Sequence, residues 1–167
     1  MHHHLQAALD AILEATRDVP ADALARPAAG RWCAAEILEH LVLTYRNNAA
    51  AFEKMLATGT LKPRRPDVRQ KLARMVVVDL GYFPRVKTPE TASPQGTIPA
   101  DRSVEAVCDA LTRLDETMDR FAARFGDDVP AANHPYFAAM SVRQWRKFHW
   151  RHAVHHMRQV TERCSER

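Results

Sequence analysis

SVRQWRKFHWRHAVHHMRQVTERC occupies residues 141–164. Its apolar residues recur at helical spacing, and this pattern is the strongest indication of the fold in the sequence. Ser141 and Gln144 stand three residues apart at its start, which is the pattern of a capping box. We therefore predict one long helix that begins at Ser141 and ends at about Cys164. A helical wheel places three histidines in the middle of its apolar stripe: His149, His152 and His156.

The histidines of this helix indicate a metal site. Buried imidazole nitrogens need hydrogen-bond or metal partners, and three rings on one apolar stripe are hard to satisfy with neutral hydrogen bonds alone. His152 and His156 are four residues apart, so both rings lie on one face at a spacing that can chelate one ion. His149 is predicted as a core residue or as a neighbour of the ligands, and His155 as an exposed or partner-bound residue. The alternative is a set of hydrogen-bonded histidines without a metal.

Four further helices are predicted from apolar residues at helical spacing and from the scarcity of glycine. Their expected bounds are about Leu5 to Arg17, Cys33 to Ala57, Asp67 to Leu80, and Ser103 to Phe125. With the stretch 141–164 they predict an all-α fold, a bundle of four long helices in which the third segment is short or off-axis. In this third segment we expect four core residues: Leu72, Met75, Val76 and Leu80.

Two segments are predicted as loops. Residues 81–102 contain four prolines and two glycines, so a regular helix cannot pass through them. A connection of this length in a compact domain is often functional or mobile. Residues 126–140 form the second loop, and no strand pattern competes with the helical interpretation. The length of 167 residues fits a single domain, 1–167.

The composition argues against several functional classes. Lys and Arg exceed Asp and Glu by only 24 to 20 and are spread along the chain, so we expect no nucleic-acid partner. No apolar run approaches a membrane span and no signal peptide is visible, so we expect no membrane partner. Three cysteines without a C-x-x-C pair indicate free thiols and a cytoplasmic protein. Whether His2, His3 and His4 are native or remain from an affinity tag stays open, and we leave them out of the site.

The third ligand has to come from outside the last helix. Two histidines rarely hold a metal tightly, and catalytic sites commonly use three protein ligands. The candidates are His40 and His134. His40 lies at the edge of the apolar stripe of its helix, so periodicity permits a ligand and equally a boundary histidine. His134 precedes Pro135 in the second loop, where it could line the site or hydrogen-bond the turn.

Two motifs resemble those of a known family. Trp32 followed by AEILEHL at 35–41 resembles the first helix-borne motif of the DinB-like (YfiT-like) metalloenzyme superfamily. HAVHHMRQ at 152–159 resembles its second motif, a helical H-x-x-H-H-x-x-Q. The segments YFP at 82–84 and HPYF at 134–137 are similar to those of an uncharacterised branch. The likeness covers nearly the whole chain.

The resemblance implies a four-helix bundle of the up-down type, a homodimer, and a divalent metal, nickel or zinc, bound by His40, His152 and His156. Some members of the superfamily are thiol-dependent transferases or isomerases. We therefore expect a metal-dependent hydrolase or a thiol S-transferase that acts on a small molecule or a low-molecular-weight thiol. The alternative is a non-catalytic metal-binding or interaction protein. The chain departs from the family at Arg158, where glycine is frequent, and this departure leaves the ligands unchanged.

Four residues are candidates for the surroundings of the metal: His149, Gln159, Glu36 and His134. Gln159 lies beyond His152 on nearly the same face, where it could orient a ligand or a water, or be an ordinary polar residue near the helix end. Glu36 is one turn before His40 and could accept a hydrogen bond from its ring. A solvated acid on the helix face is the favoured alternative for Glu36.

Overall fold

The computed structural model describes residues 1–84 and 86–165 and shows a mostly helical chain, as the sequence predicts. The helices are α1 (His3–Thr16), α2 (Ala21–Leu24), α3 (Ala34–Thr58), α4 (Val68–Arg74), α5 (Ala100–Phe125) and α6 (Val142–Ser165). A π-helical turn (Met75–Asp79) continues α4, and a 3-10 turn (Glu90–Ala92) interrupts the loop before α5. Two short strands precede α6: β1 (Pro130–His134) and β2 (Ala138–Ser141).

Capping boxes define the starts of two helices that matter for the site. The backbone N–H of Gln144 donates to the Ser141 hydroxyl (3.4 Å), and the backbone N–H of Ser141 donates to the Gln144 side chain (3.1 Å). This is the box that the sequence predicts. Cys33 and Glu36 form an equivalent box at the start of α3. The caps satisfy backbone N–H groups that would otherwise have no partner in the first turn.

The four long helices share one apolar core. α1 packs against α5 and α6, and α3 packs against the same two helices. In the centre, the Phe52 ring meets the Phe121 ring edge to face at a centroid distance of 5.1 Å, and Trp145 packs on Phe52. Such rings bury large apolar areas in specific geometries, so they fix how the helices face each other. No helix within residues 1–84 and 86–165 combines the length and the apolar character needed to cross a membrane.

The prediction of a loop over residues 126–140 is wrong in part, because β1 and β2 pair antiparallel within it. These strands are short and rich in alanine, which has a low strand preference, so no local pattern indicates them. Tertiary hydrogen bonds hold the hairpin instead. The Trp145 indole N–H donates to the Ala132 carbonyl (3.1 Å), and the Ala139 N–H donates to the Arg64 carbonyl (3.1 Å). The turn of the hairpin is thereby fixed beside α6.

The core residues predicted for the third helical segment are mostly wrong. Leu72, Met75 and Leu80 are exposed over 56%, 46% and 69% of their surfaces. Val77 and Val78 are buried instead. The π-helical turn widens the helix locally and shifts the phase of its apolar stripe, so the buried face differs from the face that a regular helix predicts. The segment therefore presents apolar side chains to solvent.

Candidate metal centre

Three histidine side chains from two helices meet in the interior: His40 of α3, and His152 and His156 of α6. The Nε2 atom of His152 lies 3.4 Å from Nε2 of His40 and 3.0 Å from Nε2 of His156. One ring nitrogen of each residue lies within 4.8 Å of those of the other two. We call these residues the histidine triad. The structure brings together the three residues selected from the sequence, and they could hold a metal ion.

His40 is oriented by the proline-rich loop before α5. Its Nδ1 lies 2.7 Å from the backbone carbonyl of Ala92. A carbonyl oxygen only accepts hydrogen bonds, so Nδ1 carries the ring proton and Nε2 presents a lone pair to the triad. The sequence analysis did not identify Ala92, because a backbone carbonyl leaves no signal in residue identity.

Gln159 orients His156 in a similar way. Its Oε1 lies 2.8 Å from Nδ1 of His156, and its Nε2 lies 3.4 Å from Nε2 of His155. One orientation of the amide serves both rings, because the oxygen accepts from His156 while the nitrogen donates to His155. Nε2 of His156 then carries no proton and faces the triad. This arrangement matches the orienting role considered for Gln159.

The number of ring protons shows why neutral imidazoles alone do not satisfy this cluster. His40 and His156 carry their ring protons on Nδ1, so their Nε2 atoms are bare. His152 has one proton at most to offer, while its own Nδ1 is buried without a hydrogen-bond partner among the described residues. At most one of the two close nitrogen contacts can therefore be a full hydrogen bond, and at least one bare Nε2 is left without a donor. A cation at the centre would accept these lone pairs, so the donor set fits a metal ion.

Burial keeps the triad in its neutral form. It lowers the pKa of His156 to about 3, and the neighbouring His40 acts in the same direction. Burial also lowers the pKa of His152 well below its ordinary value, with His156 and His40 adding to the effect. The pKa of His40 is lowered by burial too, although the hydrogen bond to Ala92 opposes the shift. Neutral imidazole is the form that binds metals, so the triad is in its ligand form at neutral pH.

Glu39 fastens the loop that orients His40. Glu39 is only 1% exposed. It accepts hydrogen bonds from the backbone N–H groups of Gly96 (2.9 Å) and Thr97 (3.0 Å) and from the Thr97 hydroxyl (2.6 Å). α3 thus holds the loop beyond Ala92 and supports the carbonyl that meets His40. The sequence does carry a signal for this role, since a glutamate among the apolar residues of a buried stripe needs specific partners.

Glu36 and His149 have other roles than contact with a ligand ring. Glu36 accepts a hydrogen bond from the backbone N–H of Cys33 (2.7 Å), so its carboxylate caps α3 and the considered hydrogen bond from His40 is wrong. His149 lies outside the triad, fully buried between the rings of Tyr45 and Trp145. Neither of its ring nitrogens has a hydrogen-bond partner in the described part of the chain. His149 is therefore the core histidine of the two alternatives.

His134 lies on the hairpin, beside α6. Its ring stacks on Phe137 at a centroid distance of 4.2 Å, and its Nδ1 accepts from the backbone N–H of Tyr136 (3.1 Å). Burial lowers the pKa of His134 to about 4. Both alternatives for this residue hold, since it hydrogen-bonds the turn and lines the same cleft as the triad. His155 is half-buried and stacks on Phe83 at 4.8 Å.

The triad borders a cleft of about 1680 Å³ that is also lined by α3, α4, the proline-rich loop and the hairpin. On α3, the lining residues run from His40 to Thr58. Phe83 and Phe148 approach the ring of His152, with centroid distances of 5.6 and 5.2 Å. The histidines are therefore covered by apolar rings on one side and reachable by a small molecule through the cleft.

Other reactive residues lie outside the triad. Burial raises the pKa of all three thiols, which makes them poor nucleophiles: Cys33, Cys108 and Cys164. The N-terminal histidines, His2 to His4, are also separate from it. Here the His4 ring stacks on Trp150 at a centroid distance of 5.2 Å. The chemistry of this protein is therefore best sought at the triad.

Comparison with known proteins identifies one family model that matches nearly the whole chain. A family model described as a protein of unknown function (DUF1569) matches residues 2–163. This match includes the two helices that carry the triad and the loop that orients His40. No curated protein and no solved structure matches the chain.

Proposed function

The chain belongs to the DUF1569 family of unknown function, and from this premise we propose that it is a metal-dependent enzyme with a divalent ion bound by His40, His152 and His156. One observation carries the proposal. Three Nε2 atoms that share at most one proton approach each other at the cleft, with 3.4 Å between those of His40 and His152 and 3.0 Å between those of His152 and His156. The cleft favours a catalytic role for the ion, because it gives a small molecule access to the site.

The residues around the triad would prepare it for this role. Bound to three neutral imidazoles, a divalent ion would supply Lewis acidity, which polarises a carbonyl or lowers the pKa of a bound water or thiol. Ala92 and Gln159 hold two ligand rings in the tautomer that binds metals. Phe83 and Phe148 exclude water from one side of the triad. The protein thus provides both fixed ligands and a partly dry site.

His134 is the residue best placed to act on a substrate. Its Nδ1 accepts from the backbone N–H of Tyr136, so its Nε2 carries the proton and can donate to a substrate oxygen or sulfur in the cleft. A low pKa keeps this ring neutral, so it binds as a hydrogen-bond donor without bringing charge. We propose hydrolysis or thiol S-transfer as the reaction class, with a small molecule or a low-molecular-weight thiol as substrate.

Nickel or zinc is the proposed metal, since imidazole sites accept both and availability decides between them. Membership of the DinB-like superfamily also remains our proposal. The mostly helical fold and the placement of the two motifs on α3 and α6 support it. A four-helix bundle of the up-down type, a homodimer and a cytoplasmic location belong to the same proposal.

A structural metal site is the second candidate, and the burial of the triad favours it. His40, His152 and His156 are 6%, 9% and 8% exposed, and an ion among them would tie α3 to α6. In that case the ion would stabilise the fold and the fourth coordination position would be closed. The two candidates share the ligands and differ in what the loss of metal does to the protein.

Metal content and thermal stability test the proposal together. Protein purified without a nickel column should contain about one divalent ion per chain by elemental analysis. Chelation should lower the melting temperature by only about 5 °C if the ion is catalytic, and by far more if it holds the fold together. Protein that contains no divalent ion and binds none on titration with zinc or nickel would refute both candidates.

Gln159→Leu should weaken metal binding without abolishing it. The substitution removes the oxygen that accepts from Nδ1 of His156, so the ring loses its fixed tautomer and orientation. We expect a loss of about 10- to 100-fold in zinc affinity, measured by competition with a chromophoric chelator. Gln159→Glu keeps an oxygen acceptor and serves as the matched control, with affinity close to wild type. Equal affinities for Gln159→Leu and wild type would show that Gln159 does not orient the ligand.

A further inference from the structure

The cleft is lined by positively charged side chains that have no role in the proposed function. Four cationic side chains line it, and no Asp or Glu does so among residues 1–84 and 86–165. The cations are Lys54, Lys62, Arg69 and Lys87. All four are exposed, and none has an ion-pair partner in the described part of the chain. Cations gathered along a cleft without counter-charges create a positive potential that attracts anionic ligands.

Three of these cations belong to the C-terminal part of α3 and to the segments that follow it. Lys54 follows His40 on α3, and the helical rise between the two residues separates them by about 21 Å. Lys62 comes after the C-terminal end of α3, and Arg69 lies in the first turn of α4. The chain returns to the triad only later, where Phe83 meets His152. The far end of the cleft is therefore cationic and the near end holds the candidate metal ligands.

Exposed apolar side chains line the cleft as well. Four large apolar residues of the cleft are exposed: Leu72, Tyr82, Val86 and Tyr136. Soluble monomers rarely leave such a group together at a cleft unless a ligand or a partner covers it. The facing stripe of α3 is polar instead, with Thr44, Asn47 and Asn48. A ligand that fits must present an apolar face to one side and tolerate polar groups on the other.

We propose that the cleft binds an amphipathic anion, with its apolar segment between the two ends and its anionic group among Lys54, Lys62 and Arg69. The cleft volume of about 1680 Å³ supports an extended ligand, because pockets for drug-sized molecules measure about 300–1,000 Å³. The position of the reactive end at the triad rests on the proposed function. Binding of the anionic group depends only on side chains of this chain, with or without a metal.

Calorimetric titration with dodecyl phosphate below its micellar concentration tests the proposal. Dodecyltrimethylammonium has the same apolar chain with the opposite charge, and methyl phosphate has the anionic group without the chain. We expect dodecyl phosphate to bind at least about tenfold more tightly than either, which corresponds to about 1.4 kcal/mol. Added salt should weaken its binding, because the cations are exposed.

A triple variant locates the bound anion. Lys54→Gln, Lys62→Gln and Arg69→Gln together should weaken dodecyl phosphate binding about tenfold, since each exposed charge contributes modestly. The matched control changes three exposed cations outside the cleft: Arg46→Gln, Lys71→Gln and Arg113→Gln. This control should bind the probe like wild type, and metal content should be the same in all three proteins.

The outcomes separate this inference from the proposed function. Equal binding of dodecyl phosphate and dodecyltrimethylammonium, or equal affinity of the triple variant and its control, would overturn the inference while leaving a metal site intact. Binding to anionic phospholipid vesicles without binding of monomeric dodecyl phosphate would also overturn it, in favour of a membrane surface. Charge-dependent probe binding by a protein that contains no divalent metal and binds none on titration would support the inference and refute the proposed function.

Discussion

His152→Ala is expected to reduce the bound divalent metal from about one ion per chain to a trace. His152 is the ring that takes part in both close contacts of the triad, at 3.4 Å to His40 and 3.0 Å to His156. Its loss leaves two ligands on different helices, which rarely hold a metal tightly. Affinity should fall by more than the roughly 100-fold that marks the loss of a supporting residue. Elemental analysis of protein purified without a nickel column measures the effect.

His155→Ala provides the matched control for this prediction. His155 lies on the same helix, three residues from His152, and touches Gln159, but it is not part of the triad. The control should keep its metal. Both variants retain His2 to His4, so metal bound adventitiously at the N-terminus is equal in the two proteins. Equal metal content in His152→Ala and wild type, with unchanged helical circular dichroism, would contradict the proposed site.

His149→Leu is expected to stabilise the protein, and to do so most strongly in acid. The ring is fully buried, and neither nitrogen has a hydrogen-bond partner among the described residues. Replacement by an apolar side chain of similar size should therefore raise the free energy of unfolding by about 1 kcal/mol at pH 7. Urea unfolding of both proteins at several pH values measures this difference.

The pH dependence follows from the protonation of His149. Burial, assisted by the nearby His134, lowers the pKa of His149 from 6.5 to about 3 in the folded protein. Below pH 6.5 the unfolded chain binds a proton that the folded chain does not, so the wild type loses stability as the pH falls towards 3. His149→Leu removes this contribution. Its advantage over wild type should grow by about 3 kcal/mol between pH 7 and pH 4.

Tyr45→Phe is the control for the titration. The Tyr45 hydroxyl is also buried without a partner in the described chain, and its ring lies 5.4 Å from that of His149. Burial raises its pKa, so this hydroxyl stays neutral throughout the acid range. The effect of Tyr45→Phe on stability should therefore be the same at pH 7 and pH 4. A constant advantage of His149→Leu over that range would show that His149 does not resist protonation in the fold.

Local patterns predicted much of the fold and part of the site. The spacing of Ser141 and Gln144 set the start of α6, because a capping box involves only neighbouring residues. The interval between His152 and His156 placed both rings on one face for the same reason. Periodicity left two alternatives for His40, a metal ligand or a boundary histidine. The resemblance to the DinB-like superfamily selected it as a ligand. Burial was predicted wrongly for Leu72, Met75 and Leu80, because a π-helical turn breaks the period on which the prediction depended.

From the sequence alone, one could predict the long helices, the cap of α6 and the face on which α6 carries its histidines. Two contacts became known only from the tertiary structure. The Ala92 carbonyl lies next to His40, and a hairpin of alanine-rich strands packs beside Trp145. The tertiary structure also decided that the cations of distant segments share one cleft. The two kinds of feature differ in the sequence separation of the residues that interact. Helix periodicity and capping act between residues a few positions apart, whereas these contacts depend on how whole elements pack, and a backbone carbonyl carries no residue identity to read.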